Sequence, residues 1–225
     1  MNQNFLLTAV FVCIGTITMA QKPTEGNASS LEVQLNLTGD ASTITAPGLK
    51  YRYFLSPNMA IRFGLDIAST NEENNYTENP DGTGATGTET LKTSGWVVSP
   101  GFEYHLAGTE KLSPYLGLVI GIGGGKSTEE WSNFDGTGYA EGVSASLEQP
   151  YSQFGVGLLA GADFYFAQNF FVGAEFGLTM NTVTSKEGEF RYSDPNGSQV
   201  SKTPEAKSSD MGIGETAALR LGWRF

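Results

Sequence analysis

The chain has 225 residues, a formal net charge of −11, one histidine, one cysteine and 29 glycines. So acidic a chain lacks the Lys and Arg that neutralise phosphates, which excludes nucleic acid as the partner its charge would favour. Glycine at this level without a collagen repeat points to many turns, or to strands needing room beside them, and the length suits one all-β domain.

Residues 1–20, "MNQNFLLTAVFVCIGTITMA", have a polar start, an apolar run from Phe5 to about Ile17 and a small residue at Ala20. This reads as a signal peptide cleaved after Ala20, since the run is shorter than the roughly 20 apolar residues of a spanning helix. The only cysteine, Cys13, falls inside it, so the exported chain has no disulfide and must be held by packing, backbone pairing or a membrane. A polar leader, residues 21–30, precedes a single domain over 31–225.

Eight segments in that domain alternate apolar side chains with polar ones or glycine, the period-two signature of a strand with two different faces. They are "LEVQLNL" from Leu31, "LKYRYFL" from Leu49, "MAIRFGLDI" from Met59, "GWVVSPGFEYH" from Gly95 and "YLGLVIGIGGG" from Tyr115. "FGVGLLAGADFYF" from Phe154, "FFVGAEFGLTM" from Phe170 and "ETAALRLGWRF" from Glu215 complete them. Short links around "SPN", "AGTEK" and "AQN" alternate with polar links, of which the one between the first two strands is modest and the other three run roughly twenty residues or more. Short turns on one rim and long loops on the other are expected of a membrane barrel, with turns in the periplasm and loops outside.

An eight-stranded interior is just wide enough for side chains to fill. The aromatic-rich row would overfill it. The other row carries Arg52, Arg62, Asp66, Glu103, Asp163, Glu175, Arg220 and Arg224 among glycines, and these charges pack as a network inside; facing lipid, each cation would cost about 2 to 4 kcal/mol at mid-membrane. The apolar row therefore points outward. Tyr51, Tyr53, Phe102, Tyr104, Phe164, Phe166 and Phe170 flank the short-turn rim, where amphipathic rings settle at the membrane interface, so they are expected to form a periplasmic girdle. The expected fold is an eight-stranded antiparallel up-and-down transmembrane β-barrel.

The pattern resembles the small OmpA/OmpX-like outer-membrane barrels, in particular the Bacteroidetes "outer membrane protein beta-barrel domain" proteins, over essentially the whole exported chain. The last strand, with Leu219, Leu221, Trp223 and the terminal Phe225, looks like the signal by which the barrel assembly machinery recognises its clients. The resemblance implies residence in the cell outer membrane. Unlike OmpA, the sequence is expected to stop at the barrel.

Motifs of soluble enzymes fail on inspection. "GIGGGKST" at 121–128 misses a phosphate loop because Ile120 stands where the first glycine belongs, and no helix is expected after it. "GVGLLAG" and "GIGETA" lie in alternating strands, away from any helix. Asp81 and Asp135 each open a "DGTG", a turn signal without the further carboxylates of a calcium loop. His105, at the short-turn end, has no recognisable partner motif and reads as a rim histidine. No cofactor and no catalytic residue is expected. The expected role is non-enzymatic: a structural or surface-interaction protein acting through acidic extracellular loops, touching membrane lipid, lipopolysaccharide and another envelope or surface protein. A narrow channel and a lipid-modifying enzyme are the alternatives.

Overall fold

The computed structural model describes residues 28–36, 48–213 and 218–225. The signal segment with Cys13 and Ala20, most of the leader, Leu37 and the end of "GIGETA" lie outside the described residues. Among the described residues there is no helix; there are eleven strand segments, all paired antiparallel. In chain order these are β1 (Ser29–Asn36), β2 (Gly48–Ser56), β3 (Met59–Thr77), β4 (Thr86–His105), β5 (Leu112–Phe134) and β6 (Tyr139–Ala167). They continue with β7 (Phe170–Ser185), β8 (Gly188–Asp194), β9 (Gly197–Thr203), β10 (Ala206–Ile213) and β11 (Ala218–Arg224).

Eight of these segments close on themselves. Consecutive strands pair from β1 to β7, β7 pairs with β11, and β11 returns to β1 with Leu31 opposite Trp223 and Gln34 opposite Arg220. Closure leaves no unpaired edge around this ring, which lipid would not tolerate. The other three segments are extensions: β8 pairs with β6, β9 with β8, and β10 with β7 above β11.

The long links expected between strands are therefore mostly strand themselves. The β3–β4 hairpin turns only at 78–85, β5–β6 at 135–138, and β8–β9 at 195–196. "GIGGGKST" does not end a strand at Lys126 either: β5 runs straight through it, with Lys126 opposite Ser94 on one side and Pro150 on the other. Each "DGTG" is a turn. Asp81 Oδ1 accepts from the Thr83 amide at 3.1 Å, and Asp135 Oδ1 accepts from the amides of Thr137 and Gly138 at 2.9 and 3.1 Å. Gly136 sits at φ 96°, a left-handed conformation that suits glycine.

The alternation sorts the side chains as expected. Leu118, Leu158, Phe176 and Leu221 are more than half exposed on the outer surface, while Arg52, Glu103 and Asp163 are fully buried. Such an apolar outside around a charged inside is the inverse of a soluble domain.

Candidate functional site: a closed charged lumen

Four acids and four bases meet inside the ring, so the plug is formally neutral. Glu175 of β7 is the hub. It accepts from Lys50 Nζ at 3.2 and 3.3 Å, from Arg62 Nη1 and Nη2 at 2.8 and 3.1 Å, and from Tyr115 Oη in a short hydrogen bond. Arg62 Nη1 also reaches Glu103 at 3.0 Å. Arg52 Nη1 donates to Glu103 at 3.0 Å and Asp163 at 2.7 Å, while its Nε pairs with Glu32. Arg220 ties Glu32 to Asp163 at 2.9 and 2.6 Å. Every strand of the ring contributes a member, with β5 supplying Tyr115. Bidentate, charge-assisted pairs of this kind offset the cost of taking ions out of water only because each ion has several partners.

Beneath the ions, toward the short turns, lies an aromatic layer: Phe54, Tyr115, Tyr165 and Phe171, all buried. The Arg52 guanidinium stands 5.5 Å from the Phe54 ring and 5.0 Å from that of Phe171, a cation–π sandwich. Glycines on neighbouring strands make room. A Cβ on Gly222 would collide with the Phe171 ring, and one on Gly161 with Tyr115 Oη.

The rows read from the sequence leave these four aromatic residues unassigned; they share the parity of the charged row and fill its lower end. The expectation for His105 is corrected. It is buried in the lumen, not at a rim, with Nδ1 2.9 Å from Ser113 Oγ and Nε2 3.3 Å from Glu103 Oε2. The set has the residue types of a serine hydrolase, but Ser113 is only 3% exposed and Glu103 is already held by two arginines, so no nucleophile is presented to a substrate.

Of the eight charges expected inside, Arg52, Arg62, Glu103, Asp163, Glu175 and Arg220 are brought together. Asp66 and Arg224 are not. Asp66 is half-buried on the wall of a cavity of about 180 Å³ above the plug, shared with Lys50, Arg62 and Glu175. Arg224 sits at the short-turn rim, with its guanidinium 6.0 Å from the Tyr165 ring and Nη2 near Gln168 O at 3.5 Å. Glu32 and Lys50 take the two places instead. Tyr51, Phe102, Tyr104, Phe164, Phe166, Phe170, Leu219, Leu221, Trp223 and Phe225 stand exposed on the outer surface, and Tyr53 is half-buried there.

A family model described as "Putative OmpA-OmpF-like porin family" matches residues 33–188. The chain belongs to this family. It is an OmpA-like, porin-like outer-membrane β-barrel protein. The crystal structure of a major outer membrane protein from Thermus thermophilus has its fold, with a TM-score of 0.51 at 13% identity, covering 88% of this chain and 99% of that one. The N-terminal β-barrel domain of Pseudomonas aeruginosa OprF matches at 16% identity and TM-score 0.30, over 89% and 99% of the two chains. The Escherichia coli outer membrane protease OmpT matches at 10% identity and TM-score 0.32, over 94% and 100%. No curated protein sequence matches.

Proposed function

We propose that this member of the porin family does not conduct, and that it serves the cell outer membrane as a non-enzymatic structural and surface-interaction barrel. The neutral plug carries this reading. An ion crossing the ring would have to displace side chains that are fully buried and mutually paired, and breaking one such pair leaves an uncompensated charge costing about 3 to 5 kcal/mol. The lipid-modifying alternative needs a base or nucleophile that reaches a lipid, and both Ser113 and His105 are enclosed.

In this reading the short turns face the periplasm, the aromatic residues around them form the girdle, and the three long hairpins stand outside the cell as acidic surfaces toward lipopolysaccharide and protein partners. Residues 1–20 are the signal peptide, and the last strand ending in Phe225 is the recognition segment for the assembly machinery. The test is electrical. Folded protein, identified by a gel mobility that changes on boiling, is expected to give no discrete conductance steps in planar bilayers; reproducible steps from that sample would replace this reading with the narrow channel.

A further inference from the structure

The hairpin extensions carry the lumen-facing and membrane-facing sides of the barrel upward, and the register separates their charges. On the outward side, Lys92, Thr128, Glu148, Glu189 and Lys202 lie in one cross-strand row from β4 to β9. The cations there are matched: Lys92 to Glu130 at 2.7 Å, Lys126 to Glu148 at 3.1 Å, Lys202 to Glu187 at 2.5 Å, and Arg191 to Glu189.

The inward side differs. Among the described residues of β3 to β6, β8 and β9, the register places no Lys or Arg at an inward position of the extensions. One row reads Glu72, Leu91, Glu129, Leu147, Phe190, and the next Asn74, Glu89, Trp131, Ala145, Tyr192. Carboxylates gather on β3 to β5 and apolar side chains on β5 to β8. Trp131 and Phe190 sit on strands either side of β6, and their rings lean together over small Ala145, with centroids 6.2 Å apart. Leu91 is 39% exposed, and Trp131, Leu147 and Phe190 are each half-buried. Glu89 is fixed as an acceptor by Trp131 Nε1 at 3.1 Å, Tyr76 Oη at 2.9 Å and Asn74 Nδ2 at 3.2 Å.

We infer that this inward face is a docking surface for a cationic, amphipathic polypeptide segment, its Lys or Arg side chains meeting Glu72, Glu89 and Glu129 and its apolar side chains lying on Leu147, Phe190 and Trp131. Charge complementarity selects the occupant. A partly exposed apolar face marks an interaction site, and a face of acids without cations repels an acidic partner, whereas on the outward face Glu130, Glu148, Glu187 and Glu189 already have cation partners, which weakens that bias. The inference rests on the reading of the hairpins as surface-interaction elements and names the chemistry of their partner.

The test uses folded protein in neutral detergent and a dye-labelled synthetic peptide alternating Lys and Leu, followed by fluorescence anisotropy. The triple change Glu72→Gln, Glu89→Gln, Glu129→Gln is expected to weaken binding by about tenfold, and the outward triple Glu130→Gln, Glu148→Gln, Glu189→Gln, with the same loss of charge, by less than about twofold. Because Glu89 holds three hydrogen bonds, Gln199→Lys with Ser201→Lys provides a second route. These exposed positions lie in the same two rows on β9, and added cations there are expected to weaken binding as well. Equal effects of the two triples, equal binding of a Glu–Leu peptide, or no binding of the Lys–Leu peptide would each overturn the inference. None of these outcomes bears on the conductance test, so the two readings fail separately.

Discussion

Removing the hub of the plug gives the most direct measure of what the plug does. Glu175→Gln keeps the shape of the side chain and takes away one of four negative charges, so Lys50, Arg62, Arg52 and Arg220 face three acids. Lys50 loses most, because both of its hydrogen bonds end on Glu175, whereas Arg62 keeps Glu103 at 3.0 Å. An uncompensated buried charge costs about 3 to 5 kcal/mol, and the amide oxygen of Gln still accepts one bond, so the expected loss lies toward about 3 kcal/mol. The same accounting predicts rescue. Lys50→Met in the Glu175→Gln background restores neutrality at three against three, and the pair is expected to show a coupling of roughly 2 kcal/mol in a double-mutant cycle. Urea unfolding in lipid vesicles, followed by tryptophan emission, measures all four proteins. Additive losses, or a Glu175→Gln cost under about 1 kcal/mol, would refute the view that the lumen charges act as one balanced unit.

Two further outcomes follow from particular contacts. Gly222→Ala drives a methyl into the Phe171 ring, and overpacking of this kind costs about 1 to 3 kcal/mol; the temperature at which the compact gel band converts should fall, and Phe171→Leu in the same chain should recover part of it. In the outer hairpins, hydrogen bonds from Trp131, Tyr76 and Asn74 hold the Glu89 carboxyl below its ordinary value of 4.5, while burial first and the Glu89 charge second push Glu129 above that value. Glu129 weakens the hairpin at neutral pH and stops doing so as it takes its proton on the way down to 4.5. Glu89 contributes stability above 4.5 that is lost as pH falls through its lower folded value. Amide protection across β4 and β5, corrected for intrinsic exchange, should therefore rise and then fall as pH drops, and a steady decline from neutral pH would contradict these assignments.

What the sequence made legible was parity, and what it hid was height. Every buried ion of the plug occupies the row that alternation within its own strand marks as polar, Glu32 and Lys50 included. Parity does not say which rung of one strand lies level with which rung of another. That is set by cross-strand register, such as Glu32 opposite Lys50 and Arg52 opposite Arg62. Asp66 and Arg224 satisfy parity and charge balance equally well, yet they lie above and below the plug. Phe54, Tyr115, Tyr165 and Phe171 were hidden by composition, because an aromatic residue reads as outward unless its phase is followed. The long extents of β3 to β6 were hidden for another reason: beyond the lipid both faces meet water, so "ASTNEENNYT" and "TGTETLKTS" lose the alternation that marks a strand.

Register also links the two halves of the molecule. In the barrel, opposite charges share the inward face and cancel there, because lipid forbids them the outward one. Above the membrane both faces are free to carry charge. On β3 to β6, β8 and β9, Lys92, Lys126, Arg191 and Lys202 nevertheless take the outward side beside acids they pair with, and the inward side keeps Glu72, Glu89 and Glu129 without a Lys or Arg among the described residues of these strands. Solvation alone does not require that segregation, since an exposed charge is equally well hydrated on either face of a ribbon in water. Nor does folding favour like charges on one face, since burial first and the Glu89 charge second raise the proton affinity of Glu129. A face that concentrates carboxylates without cations beside half-buried aromatic rings, against this repulsion, fits the inference that its counter-charges come from another molecule, as the neutral plug below it fits the proposal of a barrel that does not conduct.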